Sequence, residues 1–287
     1  MAVVPPPSST PLAPGLYVVA TPIGNLRDIT LRALDVLEGC DRLLAEDTRV
    51  AAKLLNAYSL SKRVERYDDH SDARVREGVL AHLAAGERIA LISDAGTPLI
   101  SDPGYRLVHA AREAGHAVVP VPGASALVAA LSSAGLPTDR FLFAGFTPSK
   151  RTARRAVFAE LANLRATLVF YETGPRLRES LEDMAEVFGP DRQAAVCREL
   201  TKRFETFVGG ALDALAIDPR LETPKGEIVV VVAPGRETVA SAEDADAALA
   251  EALARLSPAE AAGEVARALG LPRRDLYRRA LALKAAS

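Results

Sequence analysis

Three short polar turns carry the residue types that a small-molecule site requires. Thr21-Pro22-Ile23-Gly24-Asn25 follows the apolar run Leu16–Ala20, Ser93-Asp94-Ala95-Gly96-Thr97-Pro98 follows Arg88–Ile92, and Pro122-Gly123-Ala124-Ser125 follows Ala117–Val121. A further turn, Ser101-Asp102-Pro103-Gly104, opens the next helix. In open α/β sheets ligands bind beyond the carboxyl ends of strands, where Gly admits close backbone approach and Asp or Ser supplies polar groups. One such turn alone reads as chain reversal; three at matching strand ends predict a ligand site. None of the 19 glycines stands two residues from another and no Gly-Lys pair occurs. The dinucleotide fingerprint and the phosphate-cradling P-loop are therefore excluded.

Charged groups stand at further strand ends. In Glu46-Asp47-Thr48-Arg49, Thr48 reads as the cap of a helix starting at Arg49, with acidic residues complementing the helix N-terminus. The functional alternative has this cluster facing the cleft and positioning a substrate. Tyr171-Glu172-Thr173-Gly174-Pro175-Arg176 leaves a strand with Thr173 placed to cap the next helix and Pro175 in its first turn. Arg198-Glu199-Leu200-Thr201-Lys202 follows another strand; exposed charge pairs add little stability, so dense charge there is compatible with function. Thr223-Pro224-Lys225-Gly226-Glu227 precedes the last strand as a turn or a ligand-facing loop.

Two clusters are basic. Lys150-Arg151-Thr152-Ala153-Arg154-Arg155 puts four positive charges at a helix start, where they oppose the helix dipole and a phosphate partner relieves them. Arg273, Arg274, Arg278, Arg279 and Lys284 form the second. Each alone reads as a solvated helix face. Together, on a chain of formal net charge −2, they favour a polyanionic partner held by local patches.

The elements that must hold these groups are legible. The 287 residues, 49% hydrophobic, suffice for two α/β domains with a sizeable core. Strands are expected near Leu16–Ala20, Arg42–Ala45, Arg88–Ile92, Ala117–Val121, Phe141–Ala144, Thr167–Tyr171, Ala194–Arg198, Glu205–Val208 and Glu227–Val232. Helices fall between them, and the alternation predicts a mostly parallel sheet covered by helices. The expected division is a disordered proline-rich tail (1–14), α/β domains at 15–122 and 123–235, and a helix–turn–helix-like appendage at 242–287, its second helix starting after Gly270-Leu271-Pro272. Cys40 and Cys197 read as buried thiols of a reducing compartment. His70, His82, His109 and His116 lack metal-ligand spacing, so no metal is expected. The tail does not read as a leader and Ile228–Ala233 is too short to span a bilayer, which predicts a cytoplasmic location.

In order and combined length, several motifs resemble the tetrapyrrole-methylase superfamily and, within it, the bacterial 16S ribosomal-RNA cytidine 2′-O-methyltransferases. They are Tyr17 to Leu26, Asp28-Ile29-Thr30 with Arg32-Ala33-Leu34, Glu46 to Arg49, Ile92 to Gly104, Pro122 to Ala126, and Arg198 to Lys202. The appendage is similar to the one those rRNA enzymes carry. The resemblance implies a two-domain α/β fold that binds S-adenosylmethionine between its domains, a homodimer, and 2′-O-methylation of cytidine 1402 in the decoding centre, with 16S rRNA or the small subunit as partner and neither membrane nor DNA involved. It places the donor at Thr21, Pro22, Ile23, Gly24, Ser93, Asp94, Ala95, Gly96, Thr97, Ser125, Ala126, Tyr171, Lys225 and Gly226. The chain departs from the family at Thr173-Gly174-Pro175, where Ser-Pro-His is common, and at Phe204, where His is frequent. Both changes weaken a mechanism built on a histidine base.

Glu172, Glu199 and Lys202 are therefore the candidates for the base or its orienting partners, with Asp47 and Arg49 holding the nucleotide. Lys150, Arg151, Arg154, Arg155, Arg176, Arg273, Arg274, Arg278 and Arg279 are the candidate RNA contacts. The rival readings are a methyltransferase of a tetrapyrrole or other small metabolite, and a non-catalytic RNA-binding assembly factor of the same fold.

Overall fold

The computed structural model describes residues 11–68, 73–222, 224–235, 242–269 and 271–286; the tail up to residue 10, His70, Thr223 and Gly270 lie outside the described residues. The chain forms two compact units, Met1–Pro234 and Gly235–Ser287.

The first unit opens with β1 (Gly15–Val19), β2 (Arg42–Ala45), β3 (Val64–Arg66), β4 (Arg88–Ile92) and β5 (Val118–Val121). All pair in parallel, in the order β3-β2-β4-β1-β5. Parallel strands need crossovers, and helices supply them. Val36 and Leu37 of α1 (Leu31–Gly39) and Leu54 and Leu55 of α2 (Thr48–Ala57) pack with Val19, Leu43 and Ile92 of the strands. Val79 and Leu83 of α3 (Ala73–Ala84) and Leu107 of α4 (Tyr105–Glu113) pack with Leu16, Leu44 and Ile89, the alternate strand positions. Burial on both faces explains the continuous apolar strands, and each such side chain contributes about 1.5–3 kcal/mol. Thr30 caps α1 by accepting from Ala33 N at 3.1 Å. Asp47, not Thr48 as expected, caps α2: its extended backbone lets the carboxylate accept from Arg49 N at 2.8 Å, and Thr48 is already helical.

The second half of this unit holds β6 (Phe141–Phe146), β7 (Thr167–Thr173), β8 (Gln193–Arg198), β9 (Thr206–Ala211) and β10 (Glu227–Val232), in the order β6-β7-β10-β8-β9. Only β6–β7 is parallel; β7–β10, β10–β8 and β8–β9 are antiparallel. The expectation of a mostly parallel sheet is thus corrected here. Residues 199–205 are too few for a crossover, so β8 and β9 form a hairpin, and β10 returns between β7 and β8. One face packs on α6 (Arg151–Leu161), α7 (Gly174–Phe188) and α8 (Leu212–Ala216) through Phe158, Leu177, Leu181, Met184 and Leu212. Val169, Cys197, Val229 and Val231 of the other face meet Leu127, Ala130 and Leu131 of α5 (Ala126–Ser133), together with Ile23 from the β1 turn. That contact sets the inner face of the second sheet against the carboxyl edge of the first.

The second unit is α9 (Ala242–Leu253), α10 (Pro258–Leu269) and α11 (Arg273–Ala286), closed around Leu249, Ala261, Ala262, Val265, Leu276 and Ala280. Ser257 and Glu260 start α10 in capping-box fashion, Glu260 accepting from Ser257 N at 3.1 Å. Among the described residues no helix is long and apolar enough to cross a membrane.

Candidate active site

β1 and β4 are neighbours at the sheet centre, so their turns leave the same edge side by side. Thr21 and Gly96 exchange backbone hydrogen bonds of 2.9 and 3.1 Å. The Ser93 hydroxyl donates to Gly96 O at 3.1 Å, and Thr97 Oγ1 donates to Ala124 O at 3.0 Å, tying in the third turn. Gly96 has φ +88°, the left-handed region, and a Cβ there would stand 3.0 Å from Ile23. The three turns that the sequence singles out thus form one knot.

Between this knot and the inner face of the second sheet lies a cavity of about 330 Å³. Of the residues expected at a donor site, Ile23, Asp94, Ala95, Gly96, Thr97, Ser125, Ala126, Tyr171 and Gly226 line it. Ile100, Leu200 and Val229 add apolar wall, and Phe143 and Phe146 hold the Tyr171 ring edge-on at 4.8 and 5.4 Å. Every charged lining residue is acidic: Asp94, Asp102, Glu172 and Glu227. A second cavity of about 300 Å³ adjoins it, lined by Thr21, Pro22, Gly24, Ser93, Lys53 and Lys202 among others, and shares Ile23, Asp94, Ala95 and Glu227 with the first. Lys225 lines neither; its carbonyl accepts from Arg198 Nε at 2.7 Å.

The segment after β8 reaches across to the β1 turn. Thr201 Oγ1 accepts from Asn25 N at 3.0 Å, and a Cβ on Gly24 would stand 2.3 Å from Cγ of Lys202, so only glycine admits that stem. Glu199 and Thr201 hold φ of 51° and 66° without being glycine. Lys202 Nζ donates to Glu199 at 2.8 Å and to Glu227 at 2.9 Å. Burial works against the charge on Lys202, but the hydrogen bonds to the two carboxylates outweigh it and raise its pKa; the same bond from Lys202 lowers that of Glu199. A more basic ammonium and a more acidic carboxylate are both poor proton acceptors near neutrality. Glu172, 2% exposed, accepts from Thr147 Oγ1, Ser180 Oγ, Thr173 N at 2.7 Å and Arg176 Nη2 at 2.8 Å. Four donors fill its oxygens. All three expected candidates for the base or its orienting partners are thus engaged by neighbouring side chains, with Glu172 in the wall of the first cavity and Lys202 in that of the second.

Asp102 differs from them. Burial, then the nearby Glu46 and Asp94, push its carboxyl up to about 7. Burial and nearby carboxylates, Asp94 first among them, raise Glu46 as well. The sequence reads Asp102 as part of a helix-opening turn, places Ile100, Leu200 and Glu227 in motifs without assigning them a role, and leaves Lys53 unmarked. The only signal for Asp102 is a second Ser-Asp pair eight residues after Ser93-Asp94.

The charged clusters are largely spoken for. Asp47 caps α2 and pairs with Arg49 at 2.7 Å, and neither lines a cavity. Arg176 is spent on Glu172, Thr173 Oγ1 and Thr147 O. Arg154 is 0% exposed and ion-pairs with buried Asp183 at 2.6 Å, so it is no RNA contact. Arg151 pairs with Asp183 and Arg155 with Glu186. Among the described residues, the charges that oppose the α6 dipole are answered by carboxylates of α7. Lys150 alone of the four makes no ion pair among the described residues. In the second unit Arg279 bonds Asp246 at 2.7 Å and Arg273 donates to Ala259 O at 3.3 Å, whereas Arg274, Tyr277, Arg278 and Leu281 share one exposed face of α11. Arg278 there pairs with Asp275 at 2.6 Å.

Comparison with known proteins agrees with this geometry. The family described as Tetrapyrrole (Corrin/Porphyrin) Methylases matches residues 15–216, and the RsmI C-terminal HTH domain matches residues 239–284. A "Ribosomal RNA small subunit methyltransferase I" of Mesorhizobium japonicum is 49% identical over 96% of this chain and 94% of its own. One of the same name from Erythrobacter litoralis is 53% identical over 96% and 98%. A uroporphyrin-III C-methyltransferase structure from Thermus thermophilus, complexed with S-adenyl homocysteine, superposes with a TM-score of 0.52 at 19% identity, covering 76% of this chain and 96% of that one. The chain belongs to the tetrapyrrole (corrin/porphyrin) methylase family, within its group of ribosomal RNA small subunit methyltransferases.

Proposed function

We propose that the chain transfers a methyl group from S-adenosylmethionine to the ribose 2′-oxygen of a cytidine in small-subunit rRNA, cytidine 1402 of the decoding centre. The observation that carries the donor half is the first cavity. It has the size of a small-molecule site, apolar walls for a nucleoside, and carboxylates alone as its charged lining, which suits a cationic donor. Asp94 to Thr97, Ser125, Ala126, Tyr171 and Gly226 would hold it. When bound, the donor supplies a methyl carbon activated by positive sulfur. The adjoining cavity, with Lys53 and Lys202 in its wall, opens beside the first and shares Ile23, Asp94, Ala95 and Glu227 with it, so the acceptor hydroxyl would enter the first cavity next to the donor. Holding the two partners in line supplies about 7–11 kcal/mol of the barrier.

The RNA partner is supported by the relatives' names. On this reading Lys150, Arg273, Arg274, Arg278 and Lys284 are its phosphate contacts, the domains divide near residue 122 and again near 235, and the protein works as a cytoplasmic homodimer. Small subunits from a strain lacking the gene, incubated with the protein and donor, should gain 2′-O-methylcytidine by mass mapping. Product on a base, or none, refutes the reading; methylation of a tetrapyrrole with RNA untouched supports the small-metabolite alternative.

A further inference from the structure

We infer that Asp102 is the group that takes the proton from the acceptor hydroxyl, an assignment that rests on the methyl-transfer reading above. Its carboxylate lies in the wall of the first cavity, in the segment joining β4 to α4. That segment is held in an unusual backbone: Leu99 and Ser101 have φ of 73° and 64°, left-handed values that cost energy for residues with a Cβ. Such conformations persist where the surroundings over-determine them, and they cluster at active sites. Asp102, half-buried, follows directly on Ser101 in the cavity wall.

The charged and titratable groups around it come from three elements. Glu46 leaves β2, Asp94 and Ser93 leave β4, and the Tyr171 phenol belongs to β7. No Lys, Arg or His lines this cavity among the described residues. Burial first, then the Glu46 and Asp94 carboxylates, push the Asp102 carboxyl up to about 7. A base of that strength is substantially ionised at physiological pH and still basic enough to share a hydroxyl proton. Glu172, Glu199 and Lys202, by contrast, each already hold an ion pair.

The step balances. As the hydroxyl proton passes to Asp102, the freed oxygen pair forms the new O–C bond, the C–S pair returns to sulfur and cancels its charge, and Asp102 later releases the proton to water.

The test uses the full chain and small subunits that lack the modification. Single-turnover methylation by the wild type should rise with pH and level off above about 7. Asp102→Asn should lower the plateau by roughly 10²–10⁴-fold and flatten the profile, with Asp102→Glu restoring part of the rate. Carbon-13 titration of aspartate carboxyls, without donor, should show one group near 7 that is missing in Asp102→Asn. Calorimetry with S-adenosylhomocysteine should show a loss of affinity in Asp102→Asn far smaller than the loss of rate. A variant rate within about threefold of wild type with an unchanged profile overturns the assignment. So does a rate loss matched by an equal loss of affinity, which would make Asp102 a donor-holding group. If the Asn variant does not fold, a flat wild-type profile between about pH 6 and about pH 8 overturns it. Failure of the wild type to methylate the subunits at all refutes the functional reading instead.

Discussion

Replacing Asp183 by Ala tests whether the basic start of α6 belongs to the protein interior or to an RNA surface. The Arg154 side chain is 0% exposed and that of Asp183 1%, joined by contacts of 2.6 and 2.8 Å. Arg154 Nη1 already has no acceptor, and the other carboxylate in reach, Glu179, is 3.4 Å away with 70% of its side chain in solvent. Truncating Asp183 therefore strands a buried guanidinium, which costs about 3–5 kcal/mol. At about 2–4 °C per kcal/mol for a unit of this size, the midpoint of thermal unfolding should fall by roughly 6–20 °C. Calorimetry and urea denaturation followed by circular dichroism measure both quantities. The double change Arg154→Met with Asp183→Leu removes the charges together and should recover most of the loss, because a buried pair is worth little against apolar residues of similar size. A loss below about 1 kcal/mol in Asp183→Ala would refute the reasoning. So would an Arg154→Met variant that keeps its stability but loses RNA affinity.

Two other outcomes follow from charges placed elsewhere. Substituting Arg274 and Arg278 by Gln should reduce the slope of log affinity for rRNA against log salt by about 0.7–0.9 for each phosphate no longer neutralised; filter binding across salt concentrations checks it, and an unchanged slope removes the α11 face as the RNA-binding surface. Asp41 is held down to about 2, chiefly by the hydrogen bond from the Arg88 side chain at the start of β4. Its folded pKa lies below its unfolded value, so the contribution is present above about 4 and lost as pH falls toward about 2. Asp41→Asn should remove that part of the acid limb of the stability curve, measured by urea midpoints at stepped pH.

How much is legible in the sequence depends on whether the informative partner lies nearby in the chain. The strands at Arg42–Ala45, Arg88–Ile92 and Glu227–Val232 match residue for residue, since each is an apolar run that starts at a charge. Val64–Arg66 escapes detection, because three residues on a sheet edge leave no periodicity to read. The antiparallel course of the second sheet depends on a hairpin whose short connection, residues 199–205, looks like a charged functional loop. Arg154 misleads for a related reason. Its answering acids are on the next helix, although Glu179, Glu182, Asp183 and Glu186 recur at helical spacing and mark an acidic stripe that needs a cationic neighbour. Asp102 gains its character from burial, then from Glu46 at the end of another strand and from Asp94, an environment that composition and spacing do not reveal.

Ile23 stands in the walls of both cavities and packs against Gly96. With Asp94, Ala95 and Glu227 it belongs to the partition between two chambers, and its bulk helps set how closely their tenants approach. Trimming it to alanine would thin that wall and bring the two rooms closer to one.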